Sequence, residues 1–202
     1  MGVAGSYGWK EHHIGYMKRY LDDGFATFTL HSFESRNVKS TVGEQVSTTV
    51  AMIIYDAYMA LHELSERSNI DSNNIGITGW SLGGGVSLFS AWKPIVDAIS
   101  PNNKFAAHLP IYPPCMAKPS NMSFTDSPVH ILIGELDDWV PAEPCEEIIR
   151  EMRKTGHNAS ITVYPNSHHA FDREQDLEVI DHAYSFKDCR LTLKDNGEVA
   201  TN

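Results

Sequence analysis

Three stretches of the chain hold residue types that together perform nucleophilic acyl transfer. The first, Gly79-Trp80-Ser81-Leu82-Gly83, sets a serine in the pattern G-x-S-x-G. The pattern is short and permissive, so its surroundings decide. It needs a strand before it, a helix after it, and a tight turn that lifts the serine hydroxyl above a sheet. Ile75-Gly76-Ile77-Thr78 reads as that strand, and the run from Gly84 as that helix. Larger side chains at 79 or 83 would collide with the neighbouring strand or helix, and Ser81 itself should be strained. The N–H of Leu82, at the helix start, would face the oxyanion formed when Ser81 attacks a carbonyl. The rival reading is a turn that grips a phosphate. A dinucleotide fingerprint wants G-x-G-x-x-G, and Gly79-Trp80-Ser81 breaks it where the backbone must approach pyrophosphate.

A neutral serine hydroxyl needs a histidine to take its proton, and the histidine needs an acceptor to fix its tautomer. In a strand–turn–helix setting both partners follow the serine, acid first, each in a loop after a strand. Ile131-Leu132-Ile133-Gly134-Glu135-Leu136-Asp137-Asp138-Trp139-Val140-Pro141 offers three carboxylates after a strand. Asp137, between the closing glycine and the proline, is preferred to Asp138, although sequence alone does not separate adjacent aspartates. Glu135 reads as a solvated loop residue. The histidine comes from Val163-Tyr164-Pro165-Asn166-Ser167-His168-His169-Ala170-Phe171-Asp172, where Pro165-Asn166 marks a turn after a strand. His169, beside small Ala170, is preferred to His168. The remaining histidines are scattered and read as surface or hydrogen-bonded residues.

The elements that must position these residues alternate. Strands are expected at Phe25 to Leu30, Ile75 to Thr78, Phe105 to Tyr112, Val129 to Gly134 and Ser160 to Tyr164. Helical spacing of apolar residues is seen over Ile14 to Leu21, Glu44 to Arg67, Val86 to Trp92 (ended by Pro94), Ala142 to Lys154 and Gln175 to Lys187. Short strands alternating with helices imply an α/β fold, a mostly parallel sheet with helices on both faces. The proline-rich stretch Pro113 to Pro128 reads as a surface loop, and Leu191 to Asn202 as a short strand or frayed tail. Length predicts one domain over 1–202.

A net charge of -10, with no run of Lys or Arg, argues against nucleic acid and against an anionic membrane surface as partners. No stretch is long and apolar enough to span a bilayer. The three cysteines lack metal-ligand spacing, and the chemistry described needs neither metal nor cofactor. Cys115 and Cys145 each follow a strand, and those strands should be neighbours, so a bridge between them is geometrically open. It would clamp the loops around Asp137 and point to an oxidising compartment.

Four segments resemble the dienelactone hydrolase family of α/β-hydrolases: His31-Ser32-Phe33-Glu34-Ser35-Arg36, Gly79 to Gly84, Gly134 to Pro141, and Tyr164 to Phe171. The likeness spans roughly residues 1 to 188. It implies an α/β-hydrolase fold, with the acid at Asp137 and the base at His169. The best-known members carry cysteine where this chain has Ser81, so serine favours a general carboxylesterase over a dedicated dienelactone hydrolase. The family commonly has aspartate at the position of His31. Arg36 is a candidate for receiving a substrate carboxylate, weighed against a structural salt bridge.

The resemblance also implies that Gly2-Val3-Ala4-Gly5 is the loop after a central strand, with residues 1–6 its remnant and the N–H of Val3 the second oxyanion donor. The strand before it is then expected to be missing. The chain reads as part of a longer protein, or as one that completes its sheet by rearrangement or with a partner copy. Lys118 to Phe124 is the expected cover over an open, shallow pocket flanked by Trp80 and Trp139. The expected partner is a small ester, of short acyl or small aromatic type, with lactones included. A peptidase on the same scaffold, or a binding protein without catalysis, are the competing readings.

Overall fold

The computed structural model describes residues 1–100 and 102–201. Among the described residues, nine strands and five α-helices run in the order β1 (Gly2–Val3), α1 (Glu11–Asp22), β2 (Thr29–Leu30), α2 (Val50–Ser65), β3 (Ile77–Trp80), α3 (Leu82–Phe89), α4 (Lys93–Ile99), β4 (His108–Ile111), β5 (Ala117–Pro119), β6 (Val129–Gly134), α5 (Ala142–Lys154), β7 (Ala159–Tyr164), β8 (Leu191–Leu193) and β9 (Val199–Thr201). Six strands form one sheet in the order β2-β1-β3-β4-β6-β7, every pair parallel.

Successive residues of a strand face opposite sides of its sheet, and β3 shows what each side meets. Gly79 lies against Gly83 of α3. Trp80 turns the other way and packs on His13 and Tyr16 of α1, with ring centroids 4.6 and 6.0 Å apart. Helices therefore cover both faces, as the alternation of elements implies. The central strands are buried on both faces, and Ile131, Ile133, Ile148, Leu61 and Tyr58 are shielded from solvent in the core.

The strand expected to be missing has its place filled by the chain itself. β1 is only two residues long, yet it lies between β2 and β3 and pairs with both. The Gly2 N–H donates to Phe28 O at 2.8 Å, and the Thr78 N–H donates to Met1 O at 2.9 Å. No gap opens there, because Met1, Gly2 and Val3 take the ladder positions that β2 and β3 would otherwise leave unpaired.

Four other expectations change. The run Phe25 to Leu30 is strand only at Thr29–Leu30, since Phe25 is exposed and has no sheet partner. Pro94 opens α4 rather than merely closing the preceding helix; a proline in the first turn loses no helical hydrogen bond. The stretch Pro113 to Pro128 is not all loop, because β5 pairs in parallel with β8. The polar tail is accordingly ordered into a second, three-stranded sheet, β5-β8-β9. Gln175 to Lys187 is not a helix. Its apolar residues form no common buried face: Leu177 is 76% and Val179 90% exposed, while Phe186 packs against the core.

Cys115 and Cys145 are joined in a disulfide with a Cα–Cα distance of 5.0 Å, and Cys189 is free. The bridge ties the loop after β4 to α5. Under denaturing conditions a thiol reagent should count one cysteine before reduction and three after it. With a sequence separation of 30 residues, opening the bridge in a Cys115→Ala/Cys145→Ala variant should cost about 3–4 kcal/mol by chain entropy. Equal urea midpoints for the variant and the parent chain would contradict this.

Candidate active site

The turn between β3 and α3 explains its own sequence. A Cβ at Gly79 would lie 2.1 Å from Gly83 O, and one at Gly83 would lie 2.2 Å from Val3 O. Both positions therefore require glycine, and the close approach leaves Ser81 at φ 54°, ψ -115°, a conformation that L residues rarely hold. The serine stands at the apex as the N-cap of α3. The N–H of Leu82 is among the unpaired donors of the first turn, where the helix dipole also favours developing negative charge.

His169 connects this serine to the acid. Its Nε2 lies 3.1 Å from Ser81 Oγ, and its Nδ1 lies 2.7 Å from Asp137 Oδ2. The other carboxylate oxygen of Asp137 accepts the backbone N–H groups of Trp139 and Val140 at 3.0 and 2.9 Å. Asp137 is buried, and both oxygens of its side chain have hydrogen-bond partners. His168 lines the same cleft, yet among the described residues His169 is the imidazole that reaches both partners. Asp138 lines the cleft without touching His169.

The two loops that carry acid and base are laced together. Leu136 N–H donates to Ser167 O and Glu135 N–H to Tyr164 O, both at 2.9 Å. Glu135 is more than a solvated residue, because its Oε2 accepts the Asn166 N–H at 2.9 Å and so braces the histidine turn. Trp139 stacks on the His169 ring at 5.0 Å and 20°, while Tyr112 meets it edge-on at 4.7 Å.

A cleft of about 600 Å³ opens over Ser81, with Trp139 and His169 in its wall, a volume suited to a small organic ligand. Val3 does not line it. The register of β1 puts Val3 opposite Gly79, inside the paired and buried strand, two residues below the level of Ser81. Gly5 and Ser6 reach that level, and both line the cleft. Gly5 is itself paired with Gly8 across the turn. Arg36 is likewise elsewhere: its guanidinium donates to both oxygens of Asp56 at 2.6 and 2.9 Å, a salt bridge away from the cleft. Trp80 lines the cleft as expected, as part of its floor and with no exposed surface, and its indole N–H is donated to Asp172. The cover is not Lys118 to Phe124: these residues do not line the cleft, and β5 holds the start of the segment against β8. The cover is the irregular chain 175–180, lying across the cleft where a helix was expected.

Several wall residues carried no signal in the sequence. The rings of His12 and His13 on α1 lie 3.9 Å apart, tilted by 55°. Burial first, then the neighbouring His12, Arg173 and Lys10, push the His13 pKa down to about 3, so its ring is neutral near pH 7. Its Nδ1 accepts the Lys10 N–H, which explains its place at the start of the helix. Arg173 and Lys10 bring positive charge to one side of the cleft. Tyr112 and Asp172 join this wall through a hydrogen bond described below.

The family model for the dienelactone hydrolase family matches residues 6–190. The chain belongs to the dienelactone hydrolase family. The sheet order and the turn at Ser81 are those of the α/β-hydrolase fold, and family membership makes the protein a hydrolase. Similar solved structures include a protein of Klebsiella pneumoniae subsp. pneumoniae MGH 78578 assigned as a dienelactone hydrolase. It is 19% identical with a TM-score of 0.68, over 88% of this chain and 78% of that one. Esterase 2 of Thermogutta terrifontis with bound propionate is 15% identical with a TM-score of 0.66, over 84% and 72% of the two chains. An esterase of Pyrococcus furiosus is 19% identical with a TM-score of 0.59, over 84% and 74%. At these identities the likeness is one of fold. No curated protein matches the sequence.

Proposed function

We propose that this dienelactone hydrolase family member is a serine carboxylesterase acting on short-chain or small aromatic esters, lactones included. The observation that carries the reading is the unbroken hydrogen-bonded row from Ser81 Oγ through His169 to the buried Asp137. In the reaction, His169 Nε2 takes the Ser81 proton as the hydroxyl oxygen bonds to the ester carbonyl carbon. Asp137 holds Nδ1–H and balances the imidazolium charge. The oxyanion meets the N–H of Leu82, with the 5–6 turn on the opposite side of the cleft as the candidate source of a second donor. His169 then protonates the departing alkoxide, and the acyl group remains on Ser81. Water, deprotonated by the same histidine, releases the acid and restores the serine.

A cleft of about 600 Å³ favours small substrates. A panel of p-nitrophenyl esters of rising acyl length, beside an unsubstituted lactone, tests this reading. The expected result is a kcat/KM that peaks at acetate to butyrate and falls for long acyl chains. Rates for every ester equal to the uncatalysed background would overturn it.

A further inference from the structure

Four of the residues around the cleft hold backbone conformations with positive φ: Ser81 at 54°, Tyr112 at 38°, Asn166 at 56° and Ala170 at 55°. None is glycine, and such conformations persist only where the surroundings over-determine them. One carboxylate ties together the segments that hold Ser81, Tyr112 and Ala170. Asp172 Oδ2 accepts the indole N–H of Trp80, the residue before Ser81, at 3.0 Å. Its Oδ1 accepts the phenol O–H of Tyr112 at 2.9 Å. Asp172 itself follows Ala170 by two residues and His169 by three.

We propose that Asp172 is a positioning residue that holds His169 in line with Ser81, a role that rests on the esterase reading above. The nucleophile turn, the end of β4 and the histidine loop come from three separate parts of the chain. Each could shift by a fraction of an ångström without breaking the sheet. Asp172 joins them through two hydrogen bonds to a charged acceptor, the stronger class of such bonds. Tyr112 then transmits the constraint, since its ring edge rests on the His169 imidazole. Burial, and after it the Asp172 carboxylate, raise the Tyr112 pKa far above the ordinary phenol value, so the hydroxyl stays a donor. Asp172 touches neither Ser81 nor His169 by its side chain, so its action is on their alignment.

The test is the phosphonylation of Ser81 by a short-chain alkyl fluorophosphonate, resolved into a maximal rate, kinact, and a half-saturating concentration, KI. Asp172→Asn keeps the side-chain size, but the amide nitrogen accepts no hydrogen bond. Its kinact should fall on the order of 10- to 100-fold, the scale of a misplaced reacting group, while KI stays near that of the parent chain. Tyr112→Phe, which removes one hydroxyl, should lose part of this rate. The double variant should be no slower than Asp172→Asn alone, because both changes cut one link. A urea transition for each variant identifies misfolding. If Asp172→Asn does not fold, Tyr112→Phe decides, and an unchanged kinact there overturns the proposal. A labelled parent chain with Asp172→Asn equally fast, or additive losses in the double variant, overturns this role alone. A parent chain that the phosphonate never labels overturns the esterase reading and this role with it.

Discussion

Replacing Ser81 by alanine is expected to lower kcat for a short-chain ester by about 10⁶-fold, the scale seen when the nucleophile of a serine–histidine–carboxylate unit is removed. The loss should fall on kcat with KM little changed. The cleft walls stay, and a single oxygen that bonds only to His169 adds little to ground-state binding. Stability should change little, because alanine inherits the same φ of 54° and leaves the contacts of Gly79 and Gly83 intact. A parallel Ser81→Ala/His169→Ala variant should be barely slower than Ser81→Ala, since an imidazole without a hydroxyl to deprotonate has lost its task. An active Ser81→Ala chain would mean that another group attacks the ester.

Asp137→Asn is expected to lower kcat by about 10⁴-fold. The asparagine keeps the size of the carboxylate, and its carbonyl oxygen is able to retain the Trp139 and Val140 N–H groups. Its amide then faces His169 Nδ1 with a donor. The imidazole must offer a lone pair there and carry its proton on Nε2, which leaves nothing to accept the Ser81 proton. A geometry preserved with the tautomer reversed is the expected cause of the loss. Asp138→Asn changes an exposed carboxylate one residue along, and its effect should be that of a surface substitution. Comparable losses in both variants would remove the distinction between the neighbours.

The separation of these aspartates was only partly legible in the sequence. Spacing from Gly134 and Pro141 favours Asp137, but what decides is three-dimensional: Asp137 turns inward to two backbone N–H groups, and Asp138 turns out. The nucleophile turn was legible because its glycines are required locally, each by a backbone oxygen about 2 Å from a would-be Cβ. The order of strands and helices was legible for a similar reason, since local periodicity reports burial on the sheet.

What the sequence obscured is non-local. Val3 matched the family position for an oxyanion donor, yet the ladder with Gly79 puts Gly5 and Ser6 at the level of Ser81. No motif announces that register. The pairing of Ala117–Pro119 with Leu191–Leu193 joins stretches more than 70 residues apart, with no turn between them to signal it. Residues 175–187 carry apolar side chains at nearly helical spacing, but the segment is held from outside. Phe186 N–H donates to Trp139 O at 2.9 Å and Ser185 Oγ to Asp138 O at 2.5 Å, so the acid loop sets its path. Asp172 and Tyr112, 60 residues apart, were invisible for the same reason.

The claim on which the account depends is that Ser81 is a nucleophile activated by His169. Peptide mass mapping after exposure to a fluorophosphonate tests it most directly. The account predicts one phosphonyl adduct, on the peptide that contains Ser81, and none on that peptide in the His169→Ala chain. An adduct confined to any other residue, or equal labelling of Ser81 with and without His169, would contradict it.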